Sequence, residues 1–372
     1  MVKFALKKDK DVIKFYAFLL VFSVAFCQMK IHPERLQKLF SEPMPDWMRE
    51  QIQEDLAHFT PEDVTPQAIY ANLQAVPSLI RMTIKNNECK WSTKKRIVKR
   101  PRLVTVLWLL EDAAQYLNFP DVDFLATLED CYDYPDALER TRCPIFTMCK
   151  TEGNQKAVLW PELRGFDTKR QYIRLARNAE GSYPWSQKKE IAFWRGGSTG
   201  YWHEGWDWDF TPRAQIVLYS QRNPELVDAK FPSLSWVHQH TQAEFKNQDM
   251  GGYLAPKYQQ KYKYLLAVDG NTFPSSLVWQ LSINSAVIKN RSPYLEWYYR
   301  GIQDGVHYIS YDTDCHDLKD VIEYLRANDD HAKQMAQAGM EFANKYLTHE
   351  GYAYYIYHLL HAYAKLQKGN DT

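Results

Sequence analysis

Two apolar runs without polar interruption stand in the second half of the chain, over 191–194 and 265–268. Runs of that length predict short strands covered on both faces, as in a parallel sheet. Between them, 211–220 carries helical spacing. Pro212 fits its first turn, where a missing N–H leaves no bond unmade. Beyond the second run the pattern predicts a helix over 277–283 and strands over 285–288 and 306–310. Helices then follow over 318–328, 331–346 and 351–366, the last dense in tyrosine.

The first half is read the same way. Residues 31–79 form helices punctuated by Pro33, Pro43, Pro45, Pro61 and Pro66, with Asp46 placed to cap 47–59. Residues 82–87 and 94–102 are basic and read as a solvated surface hairpin. Over 104–117, Val104, Leu107, Trp108, Leu110 and Ala114 share one side of a helix. Phe124 to Leu128 is a strand that ends in Glu129 and Asp130; 144–150 is a further strand and loop. A helix is predicted over 167–179, with Tyr172, Leu175 and Ala176 inward.

Strands alternating with helices in both halves predict an α/β protein of two Rossmann-like domains facing a cleft. A length of 372 residues suits two such cores. The boundaries fall at 28–185 and 186–346, with Tyr183-Pro-Trp185 as the linker. Residues 347–372 form a C-terminal helix that crosses back or packs locally. Lys3, Lys7, Lys8, Lys10 and Lys14 precede the apolar stretch 15–27. That run is shorter than the ~20 residues of a membrane span. It reads as a secretory signal over 1–27 or as an anchor, giving a membrane-associated or secretory location, with the cytoplasm as the alternative.

Composition adds little. The hydrophobic fraction of 45% and charged fraction of 24% are ordinary, and a net charge of +1 gives no footing for a nucleic-acid partner. The six cysteines fit no zinc motif.

The chemistry gathers where predicted strands end. Gly196 and Gly197 allow close backbone approach, Ser198 adds a hydroxyl, and Arg195 and Arg213 bring two guanidinium groups. Arg213 stands at a helix N-terminus. Asp269-Gly270 closes the second run, and Ser275 and Ser276 open the helix after it. Backbone N–H groups, hydroxyls and bidentate cations suit a diphosphate. Asp207-x-Asp209 sits in an aromatic stretch and has the form of a pair that holds a divalent cation.

Several blocks carry a resemblance. They are Pro144-Ile-Phe-Thr-Met-Cys-Lys-Thr151, Tyr183-Pro-Trp-Ser-Gln-Lys-Lys189, Phe193-Trp-Arg-Gly196, Arg222-Asn-Pro-Glu-Leu-Val-Asp-Ala229 and Lys261-Tyr-Lys-Tyr-Leu265. Asp269-Gly270, Val306-His-Tyr-Ile309 and Leu325-Arg-Ala-Asn-Asp-Asp330 follow in order. In these the chain resembles glycosyltransferase family 90, which includes protein O-glucosyltransferases, capsule-associated proteins and lipopolysaccharide glycosyltransferases. The resemblance implies a GT-B architecture and a UDP-sugar donor, glucose or xylose, with UDP-sugar as substrate and no cofactor or metal. It implies a glycan, lipopolysaccharide or protein acceptor. The diphosphate falls to Arg195, Gly196, Ser198, Arg213, Asp269, Gly270, Ser275 and Ser276. The catalytic base is implied at Asp130, with Asp133 as the rival because Asp133-Tyr-Pro135 matches the family more literally. The chain departs from the animal enzymes near Ser276, where they carry an arginine. The alternatives are a non-catalytic nucleotide- or carbohydrate-binding protein, or a metal-dependent transferase using Asp207 and Asp209.

Overall fold

Prolines open the first helices rather than break them. In this computed structural model, which describes residues 30–94, 100–132, 139–162, 183–200, 208–232 and 250–368, α1 (Pro33–Ser41) and α3 (Pro66–Ala75) begin on proline. Helix α2 (Asp46–Leu56) follows Pro45. Their fixed φ suits the first turn. Thr65 caps α3 by accepting from Ala68 N at 3.2 Å.

The hairpin of the first half lies earlier than the basic segment suggested. It is made by β1 (Ile80–Lys85) and β2 (Glu88–Thr93), paired antiparallel. Asn86 and Asn87, at φ 51° and 63°, form the turn. Consecutive left-handed residues are what a two-residue hairpin loop requires, and asparagine tolerates them best after glycine. Helix α4 (Arg100–Ala113) then begins inside the stretch read as solvated. Strands β3 (Val122–Ala126), β4 (Ile145–Thr147) and β6 (Ala157–Leu159) run parallel, with β1 antiparallel to β3, in the order β2-β1-β3-β4-β6. The two-residue β5 (Lys150–Thr151) leaves this sheet.

The second half is more regular. It contains β7 (Lys189–Arg195), α5 (Pro212–Arg222), β8 (Val227–Lys230) and β9 (Tyr262–Ala267). A short α6 (Leu277–Leu281) leads to β10 (Ala286–Asn290). After β11 (Tyr294–Leu295) and β12 (Ile309–Tyr311) come α7 (Leu318–Ala327), α8 (Asp329–Tyr346) and α9 (His349–Lys368). All pairs in this sheet are parallel, in the order β12-β10-β9-β7-β8. By order of appearance that is 5-4-3-1-2, a doubly wound sheet whose direction of winding reverses between β7 and β9. Such a reversal opens a crevice at the carboxyl ends of the two strands.

Three features join the halves. Strands β5 and β11 pair antiparallel, one from each half. One apolar core runs from β1, β3 and β4 to Val287 and Phe342. Helix α9 crosses back onto the first half: Tyr363 Oη donates to Asp123 O at 3.1 Å, Tyr355 Oη to Leu159 O at 3.1 Å, and Gln367 Nε2 to Val64 O and Asp123 O at 2.9 Å. Tyr355 and Tyr363 therefore bury their rings in the core and satisfy their hydroxyls on strand carbonyls. Each such ring contributes about 1.5–3 kcal/mol of apolar burial.

Among the described residues no helix is long and apolar enough to cross a membrane. The stretch 1–27, the helix expected over 167–179, Asp133 and Asp207 lie outside the described residues.

Candidate active site

The crevice between β7 and β9 is organised by Arg213. Its position follows from the local sequence: Thr211 caps α5, accepting from Ala214 N at 3.3 Å, and Pro212 starts the first turn. The guanidinium is thereby thrown back over the strand ends. Nη1 donates to Gly197 O at 2.9 Å and to Thr199 Oγ1 at 2.6 Å. Nε donates to Asp269 O at 3.1 Å, and Nη2 reaches Val268 O at 3.5 Å. The loop after β7 and the loop after β9 are thus held by one cation. Among the described residues no carboxylate forms an ion pair with it. Burial pushes its pKa down to about 10, with Asp269 opposing, so it stays charged at neutral pH.

Gly270 completes the contact. A Cβ there would lie 2.8 Å from Arg213 Nη2 and 2.8 Å from Thr199 Oγ1. Asp269 is buried; its N–H donates to Asn290 Oδ1 at 2.9 Å, tying the β9 loop to the end of β10. Burial raises the Asp269 pKa, with Lys289 the first of several groups that oppose it. The Ser198 side chain is 7% exposed, and its Oγ makes no hydrogen bond among the described residues. The crevice therefore combines a half-buried cation, a buried hydroxyl without a partner among the described residues and loop backbone at close approach.

Arg195 stands elsewhere. Its Nη2 pairs with Asp228 Oδ1 at 2.7 Å, its Nη1 donates to Asp228 O at 2.8 Å, and its guanidinium lies 4.4 Å from the Phe193 ring centroid. Arg213 lies 5.7 Å from the ring centroid of Trp194. Adjacent residues of a strand point to opposite faces, so the two guanidinium groups flank β7 from opposite sides. The sequence brought them to one turn; the fold parts them. Gly196 follows Arg195, and a Cβ there would come within 2.4 Å of the Trp194 ring. Ser275 is exposed. Ser276 makes no cap hydrogen bond; its Oγ faces Gln280 Oε1 at 3.2 Å, and Gln280 in turn donates to Leu266 O.

Asp130 belongs to the first half, on the turn after β3. Its carboxylate is paired with Arg102, whose other terminal nitrogen donates to Leu128 O. Arg102 is 2% exposed, although it ends the stretch that reads as a solvated basic face. This partner was not visible in the sequence, because it arrives from α4, a separate element. The next residue, Cys131, packs with Cys149 against Phe273, which lies between Gly270 and Ser275. The turn bearing Asp130 therefore meets the loop after β9. Glu296 is 2% exposed and accepts from Tyr298 Oη at 3.0 Å.

Asp209 lies in a short helical turn, with Oδ1 buried and without a partner among the described residues. Among those residues no group of three or more His, Cys, Asp or Glu is placed to hold a metal ion.

Comparison with known proteins follows the same lines. A model of the family described as Glycosyl transferase family 90 matches residues 41–372. The chain is 25% identical over 332 residues to Protein O-glucosyltransferase 2 of Danio rerio, a match covering 85% of this chain and 62% of that protein. It is 27% identical over 276 residues to Protein O-glucosyltransferase 1 of Rattus norvegicus, covering 68% of this chain and 65% of that protein. The matched segment spans less than two thirds of either relative. Among solved structures, the chain is similar to Anabaena HepE in complex with UDP and glucose, at 11% identity and a TM-score of 0.39, over 70% of this chain and 76% of that one.

Proposed function

The chain belongs to glycosyl transferase family 90, and from that premise we propose that it moves a hexose or pentose from a UDP-sugar to an acceptor hydroxyl. Glucose is the first donor sugar to test, since the relatives above are named O-glucosyltransferases; xylose is the second. The acceptor is a glycan, a lipopolysaccharide or a protein. The observation that carries the reading is the Arg213 clamp at the winding reversal of the second sheet.

When the glycosidic bond of a UDP-sugar breaks, negative charge builds on the departing diphosphate. A preorganised cation and fixed donors stabilise that charge without reorganising at the moment of reaction. Arg213 supplies the cation, Ser198 and Thr199 supply hydroxyls, and Gly270 keeps the approach open. Ser276 and Arg195 support the loops, the latter through Asp228. In this reading the diphosphate charge falls to protein groups rather than to a metal. Asp130 takes the proton of the acceptor hydroxyl as that oxygen attacks the anomeric carbon. Its pairing with Arg102 fixes its direction.

The test is release of UDP from a panel of UDP-sugars by the full chain, with and without EDTA, together with UDP calorimetry on wild type and Arg213→Ala. The expected result is EDTA-insensitive release from one donor and weaker UDP binding in the variant. Release abolished by EDTA would transfer the charge-stabilising role to a metal held by Asp207 and Asp209. UDP binding equal in wild type and Arg213→Ala would refute the donor site.

A further inference from the structure

A cavity of about 560 Å3 opens between the two halves, beside the Arg213 crevice rather than within it. Neither Ser198, Arg213, Asp269 nor Gly270 lines it. Helix α2 and the loop after β5 form one wall; the end of β10, the Tyr299 turn and the approach to β12 form the other. Tyr294, on the strap between the halves, separates the cavity from the Cys131–Phe273 contact.

The charges of the lining nearly cancel. Lys150 pairs with Asp55 at 2.5 Å and Arg300 pairs with Glu54. Arg291, at the rim, pairs with Asp312 and Asp317. Lys289 is left, 6% exposed, donating to Asn290 O at 3.2 Å and lying 5.0 Å from the Tyr299 ring centroid. Among the described residues no carboxylate forms an ion pair with it. Burial lowers its pKa, while the fields of Asp269, Glu296 and Asp304 hold it up. The Tyr299 hydroxyl is buried with no hydrogen-bond partner among the described residues. An ammonium has three donors and a phenol one, so donor capacity is left over in the same wall that presents the carboxylates of Glu296 and Asp304.

That mixture selects a ligand class. A diphosphate would meet the Lys289 donor but face the carboxylates of Glu152, Glu296 and Asp304. A hydrocarbon would leave the buried polar groups without partners, at a cost of about 1–3 kcal/mol each. Vicinal hydroxyls donate and accept at once, so they answer both sets, and a tyrosine ring offers a face to the apolar side of a pyranose. The volume lies within the ordinary range of small-molecule sites. We propose that this cavity binds a neutral pyranose unit of a glycan, at a site separate from the nucleotide loops. Sugar binding there requires no UDP and no turnover, so it stands or falls apart from the donor-site reading.

The experiment is saturation-transfer NMR on the full chain with methyl glucopyranoside, methyl xylopyranoside and maltose at about 10 mM, a concentration that detects millimolar affinity. At least one probe is expected to receive saturation, and excess UDP should leave that signal in place. Tyr299→Phe removes only an unpartnered hydroxyl, so a merely structural role predicts equal or higher stability and unchanged sugar binding. The proposal instead predicts a loss of roughly fivefold or more in affinity, the worth of one hydrogen bond. Lys289→Met should act in the same direction, checked against its circular dichroism. Absence of transfer to every probe overturns the proposal. So does a signal that UDP or inorganic phosphate abolishes, which marks the donor crevice or an anion pocket. A signal unchanged in Tyr299→Phe also overturns it.

Discussion

Gly270→Ala is a single-methyl test of the Arg213 clamp. The added Cβ would sit 2.8 Å from Arg213 Nη2, 2.9 Å from its Cζ and 2.8 Å from Thr199 Oγ1. Contacts that short cannot persist, so the guanidinium must move. It is held by Gly197 O at 2.9 Å, Thr199 Oγ1 at 2.6 Å and Asp269 O at 3.1 Å, and displacement breaks some of these bonds. Overpacking of this kind costs about 1–3 kcal/mol. A hydrogen bond to a charged group contributes about 1.5–3 kcal/mol, so removing Arg213 from a bound diphosphate should weaken UDP roughly 10- to 150-fold. Calorimetry on wild type, Gly270→Ala, Arg213→Ala and the double variant reads this directly. If the methyl acts through the guanidinium, the double variant binds UDP no more weakly than Arg213→Ala. Additive losses would refute the mechanism, and so would wild-type affinity in Gly270→Ala.

Three further outcomes follow from residues already placed. Asp130→Asn keeps an acceptor for Arg102 but removes the base; turnover should fall about 10²- to 10⁴-fold with UDP affinity unchanged, and near-normal turnover would transfer the role to Asp133. Lys150→Met leaves Asp55 buried without its cation, a loss of about 3–5 kcal/mol in urea unfolding, and replacing Asp55 by Asn in the same chain, which keeps an acceptor for Leu159 N–H, should restore part of it. Lys188 is buried, donates to Gln260 O at 2.5 Å and Ser285 Oγ at 3.2 Å, and burial lowers its pKa from 10.5 to about 7. Between about pH 7 and 10.5 the unfolded chain therefore binds a proton that the folded chain does not, and stability rises with pH across that window. Relative to wild type, Lys188→Met should be most favoured at or below pH 7 and least above 10.5, a swing of at most about 4–5 kcal/mol; a pH-independent difference would contradict the assignment.

The second sheet was legible in the sequence because its strands are buried on both faces. Unbroken runs such as Leu265 to Val268 have few other readings, and their ends locate the crevice. The first half was less legible. Its hairpin is partly exposed and its apolar signal weak; the informative feature was the pair Asn86-Asn87, which marks a tight turn regardless of flanking charge. Arg102 was misread for a related reason. A basic run looks solvated, yet one member enters the interior because Asp130 and Leu128 O wait there. Arg195 and Arg213 show the limit of proximity along the chain: Asp228 captures the first from β8, and strand alternation alone puts the guanidinium groups on different faces.

The return of α9 to the first half has a consequence for biosynthesis. Gln367 exchanges hydrogen bonds with Asp123 in both directions, and Tyr363 adds a third bond to the same residue. A ribosome delivers residues 30–162 long before this helix, so the emerging first sheet must wait with the apolar floor meant for Tyr355, Leu359 and Tyr363 still wet. Domains that fold in order of synthesis avoid that interval; this chain lengthens it, and exposed apolar surface during such a wait favours aggregation. Holdase chaperones should therefore bind stalled nascent chains that end before 349 and release those in which α9 has cleared the exit tunnel. The first core is thus closed by a helix made about two hundred residues after its own strands.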